Sequence, residues 1–346
     1  MRIVIVTDAW EPQVNGVVRT LKSVSAELID MGHQVSVISP DQYRSMPCPT
    51  YPEIRLTLTR PKRVGERIAA IAPDAVHLAT EGPLCLAARR WCLNRGVPFT
   101  TAYHTQFPDY IARRTGLPAR LIWPYIRWFH RPAMRVMAST ESIRDELRAH
   151  GIRHLAAWGR GVDLTQFRPE NRGLAEMRHL PRPIQLYVGR VAVEKNIEAF
   201  LVADTPGTKI VVGDGPARAD LARRYPTALF LGSLDGKRLA GAYAGADVFV
   251  FPSTTDTFGL VIIEALASGT PVAAYRVTGP KDILTAETGA MDADLSVAIA
   301  RALTLDRRVC AAYAGRFSWR ASARQFLTAL EPAAPIADIG PLAAFA

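Results

Sequence analysis

Residues 247–275 read DVFVF (247–251), PSTTDTFG (252–259), LVIIEALASG (260–269) and TPVAAY (270–275). A strand-length apolar run, a polar loop, a helix-length apolar segment stopped by glycine and a second apolar run make one β–α–β unit. Neither run alternates as a half-wet strand does, which points to a parallel sheet covered on both faces. The pattern extends backward through strands over 184–189, 209–212 and 228–231 and helices over 196–203, 216–224 and 236–244. It recurs near the start, with a strand over 2–7, a helix over 17–30 closed by Gly32, and a strand over 34–39. Further strands are expected near 75–79, 98–103, 135–139 and 155–158.

The chain has 346 residues, long for one core and ample for two. From Phe167 to Pro183 it is rich in Arg, Pro and Gly and lacks an apolar period, which reads as a linker. The expected class is α/β: a Rossmann-like domain over 1–170, a linker over 171–183 and a second Rossmann-like domain over 184–316. Two such domains leave a central cleft, and open parallel sheets bind ligands beyond the carboxyl ends of their strands.

Net charge is +10, carried by 36 arginines and six lysines against 32 acids, which favours an anionic partner. Arginine-rich coding is the alternative. Cys48, Cys85, Cys92 and Cys310 show no metal-binding or redox spacing, so reduced thiols in the cytoplasm are expected. The opening apolar run is too short for an export signal, and no stretch approaches the ~18 apolar residues of a membrane span.

A P-loop string is absent, and Gly213-Asp214-Gly215-Pro216-Ala217-Arg218 has arginine where a dinucleotide fingerprint needs its third glycine. Arg190 ends one strand and Lys195 begins the next helix, a spacing suited to clamping a diphosphate with charge-assisted hydrogen bonds. The alternative is a pair of solvated loop charges. The amides of Gly259 and Leu260 open the helix 259–268 and form an anion site. Glu264 lies within the run Val261-Ile262-Ile263-Glu264-Ala265-Leu266-Ala267, where an acid is costly unless hydrogen-bonded. A ribose diol is a suitable partner, and a neighbouring backbone is the alternative. Asp292-Ala293-Asp294 reads as a helix cap rather than a metal motif.

Gly189-Arg190-x3-Glu194-Lys195-Asn196, Gly213-Asp214-Gly215-Pro216, Ala246-Asp247-Val248-Phe249-Val250-Phe251-Pro252-Ser253 and Thr257-Phe258-Gly259-Leu260-x3-Glu264-Ala265 together resemble the retaining GT-B glycosyltransferases of family 4. The first half matches too, through the loop Thr7–Val17, the segment Ala102–Tyr110 around His104, and Trp158–Asp163. The resemblance covers residues 1 to about 330.

It implies a GT-B fold, two Rossmann-like domains facing a cleft, whose C-terminal helix within 317–346 crosses back to the first domain. It also implies a nucleotide-diphosphate sugar as donor substrate, with neither cofactor nor metal. Arg190 and Lys195 would hold the diphosphate, Glu264 the ribose, and the Gly259 and Leu260 amides phosphate or sugar. Asp256 stands at the first acidic position of the family's Glu-x7-Glu pair, one methylene short, and would contact the hexose. Gly16 would let its loop approach the diphosphate. His104 would bond the transferred sugar, its alternative being a structural loop histidine.

Between Ile111 and Thr140 lie Arg113, Arg114, Arg120, Arg127, Arg131 and Arg135 with no acid, interleaved with Trp123, Tyr125, Trp128 and Phe129. This composition over 111–135 suits peripheral contact with an anionic membrane, here its cytoplasmic face. A solvated helix face with core aromatics is the alternative, and no nucleic-acid module is present. His104-Thr105-x2-Pro108 and Ala79-Thr80-Glu81-Gly82-Pro83-Leu84 resemble the branch that glycosylates diacylglycerol, and also the GDP-mannose-dependent mannosyltransferases. The expected reaction moves a hexose or hexuronic acid from a UDP-sugar to a lipid. The alternatives are α-mannosyl transfer from GDP-mannose to another acceptor, a GT-B sugar-nucleotide epimerase, and a non-catalytic binder.

Overall fold

A computed structural model describes residues 1–13, 15–48, 51–104, 106, 108, 118–171, 173–254 and 256–330, with backbone alone at 51–54. Arg113, Arg114, part of the segment around His104, and the tail 332–346 lie outside the described residues.

The chain forms two compact units: Met1–Gly159 together with the chain from Trp319 onward, and Arg160–Ser318. The first unit holds strands β1 (Arg2–Val6), β2 (Gln34–Ile38), β5 (Ala75–Leu78), β6 (Thr100–Tyr103), β7 (Val136–Ala138) and β8 (Leu155–Ala157). They form one parallel sheet in the order β2-β1-β5-β6-β7-β8. Four of the five residues of β1 are buried, as a strand covered on both faces requires. The helices Gly16–Asp30, Pro61–Ile71, Pro83–Arg95, Trp123–His130 and Glu141–Ala149 supply the connections among the described residues. An antiparallel pair, β3 (Ser45–Cys48) with β4 (Tyr51–Thr57), was not expected from the sequence.

The second unit repeats the design with β9 (Ile184–Val188), β10 (Thr208–Val212), β11 (Leu229–Gly232), β12 (Val248–Phe251), β13 (Val272–Ala274) and β14 (Gly289–Met291). Its parallel order is β11-β10-β9-β12-β13-β14. Asp294 caps the helix Leu295–Ala302 by accepting from the Ser296 amide at 2.8 Å, a capping role for the 292–294 string.

The units divide at Gly159, so residues 160–170 join the second unit rather than the first. Val162 and Phe167 enter the second core, and so do Leu174 and Met177 from the expected linker. Two apolar side chains three residues apart suffice to dock the short turn Ala175–Met177, although the segment shows no longer period.

The last helix, Trp319–Ala329, packs on the first unit beside Gly16–Asp30. Its Ala323, Phe326 and Ala329 share a core with Ile3, Ile5, Leu21 and Trp158. Phe326 lies 4.9 Å from both the His77 ring and the Trp158 ring. His77 is fully buried, its Nδ1 is 2.9 Å from Thr100 Oγ1, and burial pushes its pKa down to about 3.

In the unfolded chain that imidazole takes a proton near pH 6.5, while the folded chain refuses it down to about pH 3. Its neutral burial therefore contributes fully above pH 6.5 and loses ground as pH falls, by about 2 kcal/mol at pH 5. Urea unfolding of wild type and His77→Gln at pH 7 and 5 checks this. The wild type is expected to lose more between the two values, and equal pH dependence would contradict it.

Candidate functional site

In the second unit the chain leaves β9 for β10 on one side, whereas β12 lies against the other side. Ligands of open parallel sheets gather at such a reversal of strand order. Two loops meet there. After β9 comes Gly189-Arg190, then a short turn Val193–Lys195 and Asn196 in the left-handed region. After β12 come Pro252–Gly259 and the helix Leu260–Ala267. Lys195 Nζ donates to both carboxylate oxygens of Asp256, at 2.8 and 2.9 Å. Asn196 Nδ2 donates to the Pro252 carbonyl at 3.2 Å, tying the loops a second time.

The Lys195 and Asp256 side chains are 24% and 22% exposed, so their ion pair is neither dry nor freely solvated. Arg190 pairs with Glu194, an acid the sequence reading left unused. Each member of the expected diphosphate clamp thus holds its own carboxylate. Below them the Tyr187 hydroxyl donates to the Arg190 carbonyl at 2.9 Å. Burial, then the nearby Asp256 charge, holds that phenol well above its ordinary pKa, so it stays a donor.

The Gly213–Gly215 turn explains itself by packing. A Cβ on Gly213 would lie 1.9 Å from the Gly189 carbonyl, and one on Gly215 2.3 Å from that of Val191. The Val191 amide donates to the Asp214 carbonyl at 2.8 Å. Close backbone approach therefore accounts for these glycines where the dinucleotide fingerprint fails.

Gly259 is left-handed (φ 88°) at the head of the helix Leu260–Ala267. Glu264, in the second turn, is 2% exposed, and its Oε2 accepts from the Tyr243 hydroxyl at 2.9 Å. The protein itself thus supplies a polar partner that the apolar surroundings demand, where the sequence reading looked to a ribose. Tyr243 was missed because its helix, Gly236–Gly245, reads as Ala/Gly filler.

In the first unit, Gly16 opens the helix Gly16–Asp30, whose Val17 and Val18 amides donate to Asn15 Oδ1 at 3.0 Å each. His104 follows β6, is buried, and sets its ring 5.2 Å from that of Trp158. Two groups at the same end of the sheet belong to motifs of the sequence reading but were given no role there. Asp8, after β1, accepts from the Leu84 amide at 2.7 Å, the Cys85 amide at 3.2 Å and Thr80 Oγ1 at 3.0 Å. Burial nevertheless raises its pKa. Glu81 Oε1 is 3.3 Å from His130 Nε2, and His130 Nδ1 is 2.8 Å from Thr101 Oγ1.

The aromatic-basic stretch is sorted differently from its composition. Trp123 and Phe129 are core residues, and Tyr125 turns its hydroxyl to the Glu81 carbonyl. Trp128 is the exposed aromatic, at 51%, accompanied by Arg120, Leu121, Arg127, Arg131, Met134 and Arg135. Among the described residues no helix is long and apolar enough to cross a membrane, and no group of three metal-ligating side chains occurs.

Residues 14–166 match the Glycosyltransferase Family 4 pattern, and residues 182–305 match that of glycosyl transferases group 1. A GDP-mannose-dependent alpha-mannosyltransferase of Mycolicibacterium smegmatis is 35% identical, over 82% of each chain. An alpha-monoglucosyldiacylglycerol synthase of Streptococcus pneumoniae is 29% identical, over 80% of this chain and 71% of its own. The fold is that of a sucrose-phosphate synthase from Thermosynechococcus elongatus, with a TM-score of 0.75 at 23% identity, covering 94% of this chain and 97% of that one. Two parallel-sheet units of this kind, matched by both family patterns and by relatives along most of their length, make the chain a GT-B glycosyltransferase that belongs to family 4.

Proposed function

We propose that the chain moves a hexose or hexuronic acid, with retention at the anomeric carbon, from a nucleotide-diphosphate sugar to a lipid such as diacylglycerol. The observation that carries the donor half is the Lys195–Asp256 pair across the strand reversal of the second unit. An ammonium has three N–H donors. Two engage Asp256, and the third is left for a phosphate oxygen. Asp256 fixes the direction of that donor and Arg190 supplies a second cation beside it, so the positive charge is in place before the leaving diphosphate develops its own. A phosphate oxygen of that leaving group takes the acceptor's proton. Arg190 and Lys195 fill the place of a metal, and turnover is expected to survive a chelator.

His104 in the first unit contacts the transferred sugar in this reading, and Glu264 contributes to the nucleoside end. The lipid half rests on the first-unit motifs, on the name of the pneumococcal relative, and on the exposed surface of Trp128, Leu121 and arginines. That surface suits peripheral contact at the cytoplasmic face of a membrane. In this first reading the donor is a UDP-sugar. A second reading, α-mannosyl transfer from GDP-mannose, is favoured by the 35% identity to a GDP-mannose-dependent relative.

Diacylglycerol vesicles with labelled UDP-glucose, UDP-glucuronic acid and GDP-mannose test both. Label is expected in a lipid product, and the donor that supplies it decides between the readings. Transfer to soluble sugars alone would overturn the lipid acceptor, and conversion of a donor without acceptor would indicate an epimerase.

A further inference from the structure

A recess of about 470 Å³ opens on the first unit, lined by residues of the helix Trp123–His130, the turn after it, and the segment Gly151–His154. Val136 begins β7 and His154 immediately precedes β8, so the recess sits at the N-terminal edge of these strands. Asp8, Thr80 and His104 follow the C-terminal ends of β1, β5 and β6, at the other edge of the same parallel sheet. The recess therefore opens toward the opposite edge, with His130 alone among its lining residues reaching Glu81.

Its lining is cationic. Arg127, Arg131 and Arg153 contribute guanidinium groups, His130 and His154 add imidazoles, and no carboxylate lines it, although His130 keeps its Nε2 3.3 Å from Glu81 Oε1. Some exposed arginines elsewhere meet acids, as Arg148 does with Glu141 and Asp145 and Arg224 with Glu198, while Arg90, Arg95 and Arg324 pair with none among the described residues; what marks the three here is that they line one recess. Arg127, Arg131 and Arg153 form no ion pair among the described residues. Three like charges around one recess repel each other, and the ends of the helices Trp123–His130 and Glu141–Ala149 nearby relieve only part of that.

The rim is tied to the helix Pro83–Arg95 through Arg89. Arg89 donates to the carbonyls of Trp128 and Phe129 at 2.8 and 3.0 Å and places its guanidinium 4.0 Å from the Trp128 ring centroid. The indole is thereby fixed as an exposed apolar lip beside the cations. Guanidinium forks match phosphate oxygens bidentately. The volume exceeds what a bare phosphate needs and admits an ester with its alcohol.

We propose that this recess is a second ligand site that binds a phosphate mono- or diester. Its chemistry is shared by a soluble phosphate ester and a phospholipid headgroup; only the headgroup source rests on the membrane reading above. Calorimetric titration with sn-glycerol phosphate, comparing wild type with the triple variant R127Q/R131Q/R153Q, tests the site. Thermal unfolding establishes that the variant is folded, and each single variant is titrated should the triple one unfold.

Binding is expected to weaken at least tenfold in the triple variant, and measurably in each single one. Equal affinity in folded variant and wild type would overturn the proposal. Flotation with phosphatidylcholine vesicles, with and without phosphatidylglycerol, separates the sources. Phosphatidylglycerol-dependent recovery that the variant loses supports the headgroup, whereas recovery unchanged in the variant supports the soluble ester. A chain that binds glycerol phosphate here yet glycosylates only soluble acceptors keeps this site and loses the lipid reading.

Discussion

Replacing Lys195 by alanine is expected to lower kcat/KM for the sugar nucleotide about 10²–10³-fold, the loss typical of removing one preorganised donor from a developing anion, or ~3–4 kcal/mol. Most of the loss should fall on kcat, because the charge on the leaving diphosphate grows toward the transition state and a fixed cation stabilises it more there than in the ground state. The variant also leaves the Asp256 carboxylate, about a fifth exposed, without its partner. Asp256→Asn separates the two effects: the ammonium remains but loses the anion that aims it, so a smaller loss is expected. Steady-state kinetics with varied donor check the pair. A Lys195→Ala enzyme that turns over like wild type would remove Lys195 from the chemistry.

Phe326→Ala is expected to destabilise the first unit by about 3–5 kcal/mol, the range for emptying a buried phenylalanine site. Phe326 is fully buried, and its two aromatic neighbours, His77 and Trp158, are fully buried too. Side chains so enclosed have little freedom to collapse into the space. Two compact units make a single two-state transition the wrong expectation. Urea unfolding followed by signals from each unit should show the transition of the first moving to lower denaturant and that of the second unmoved. A shift of both together would mean that the last helix serves more than the first unit.

Much of the architecture is legible because parallel strands buried on both faces write themselves as apolar runs, as at Ile184–Val188 and Val248–Phe251. The pair Ser45–Cys48 and Tyr51–Thr57 is illegible for the opposite reason: it is short, carries prolines and has no apolar run. At the candidate site, Lys195 and Asp256 were each singled out in the sequence, but not as partners. Sixty-one positions separate them, and the fold's strand order joins them. Tyr243, the partner of Glu264, was hidden because its helix reads as Ala/Gly filler.

The aromatic stretch was legible only in part. Composition suggested an interfacial belt, whereas helical spacing at Trp123, Ile126 and His130 already marks an inward face, with Arg127, Trp128 and Arg131 outside it. The short docking turn at Leu174 and Met177 shows how little apolar surface suffices to turn an apparent linker into part of a core.

The last helix also bears on how the chain is made. A ribosome delivers residues 1–159 first, yet their sheet lacks one wall until Trp319–Ala329 emerges. Arg160–Ser318 is contiguous and can close its own core as soon as it is synthesised. The half that is born first is therefore the half that finishes last, leaving the apolar ground around Trp158 open to water, or to a chaperone, until residues 319–329 have been made.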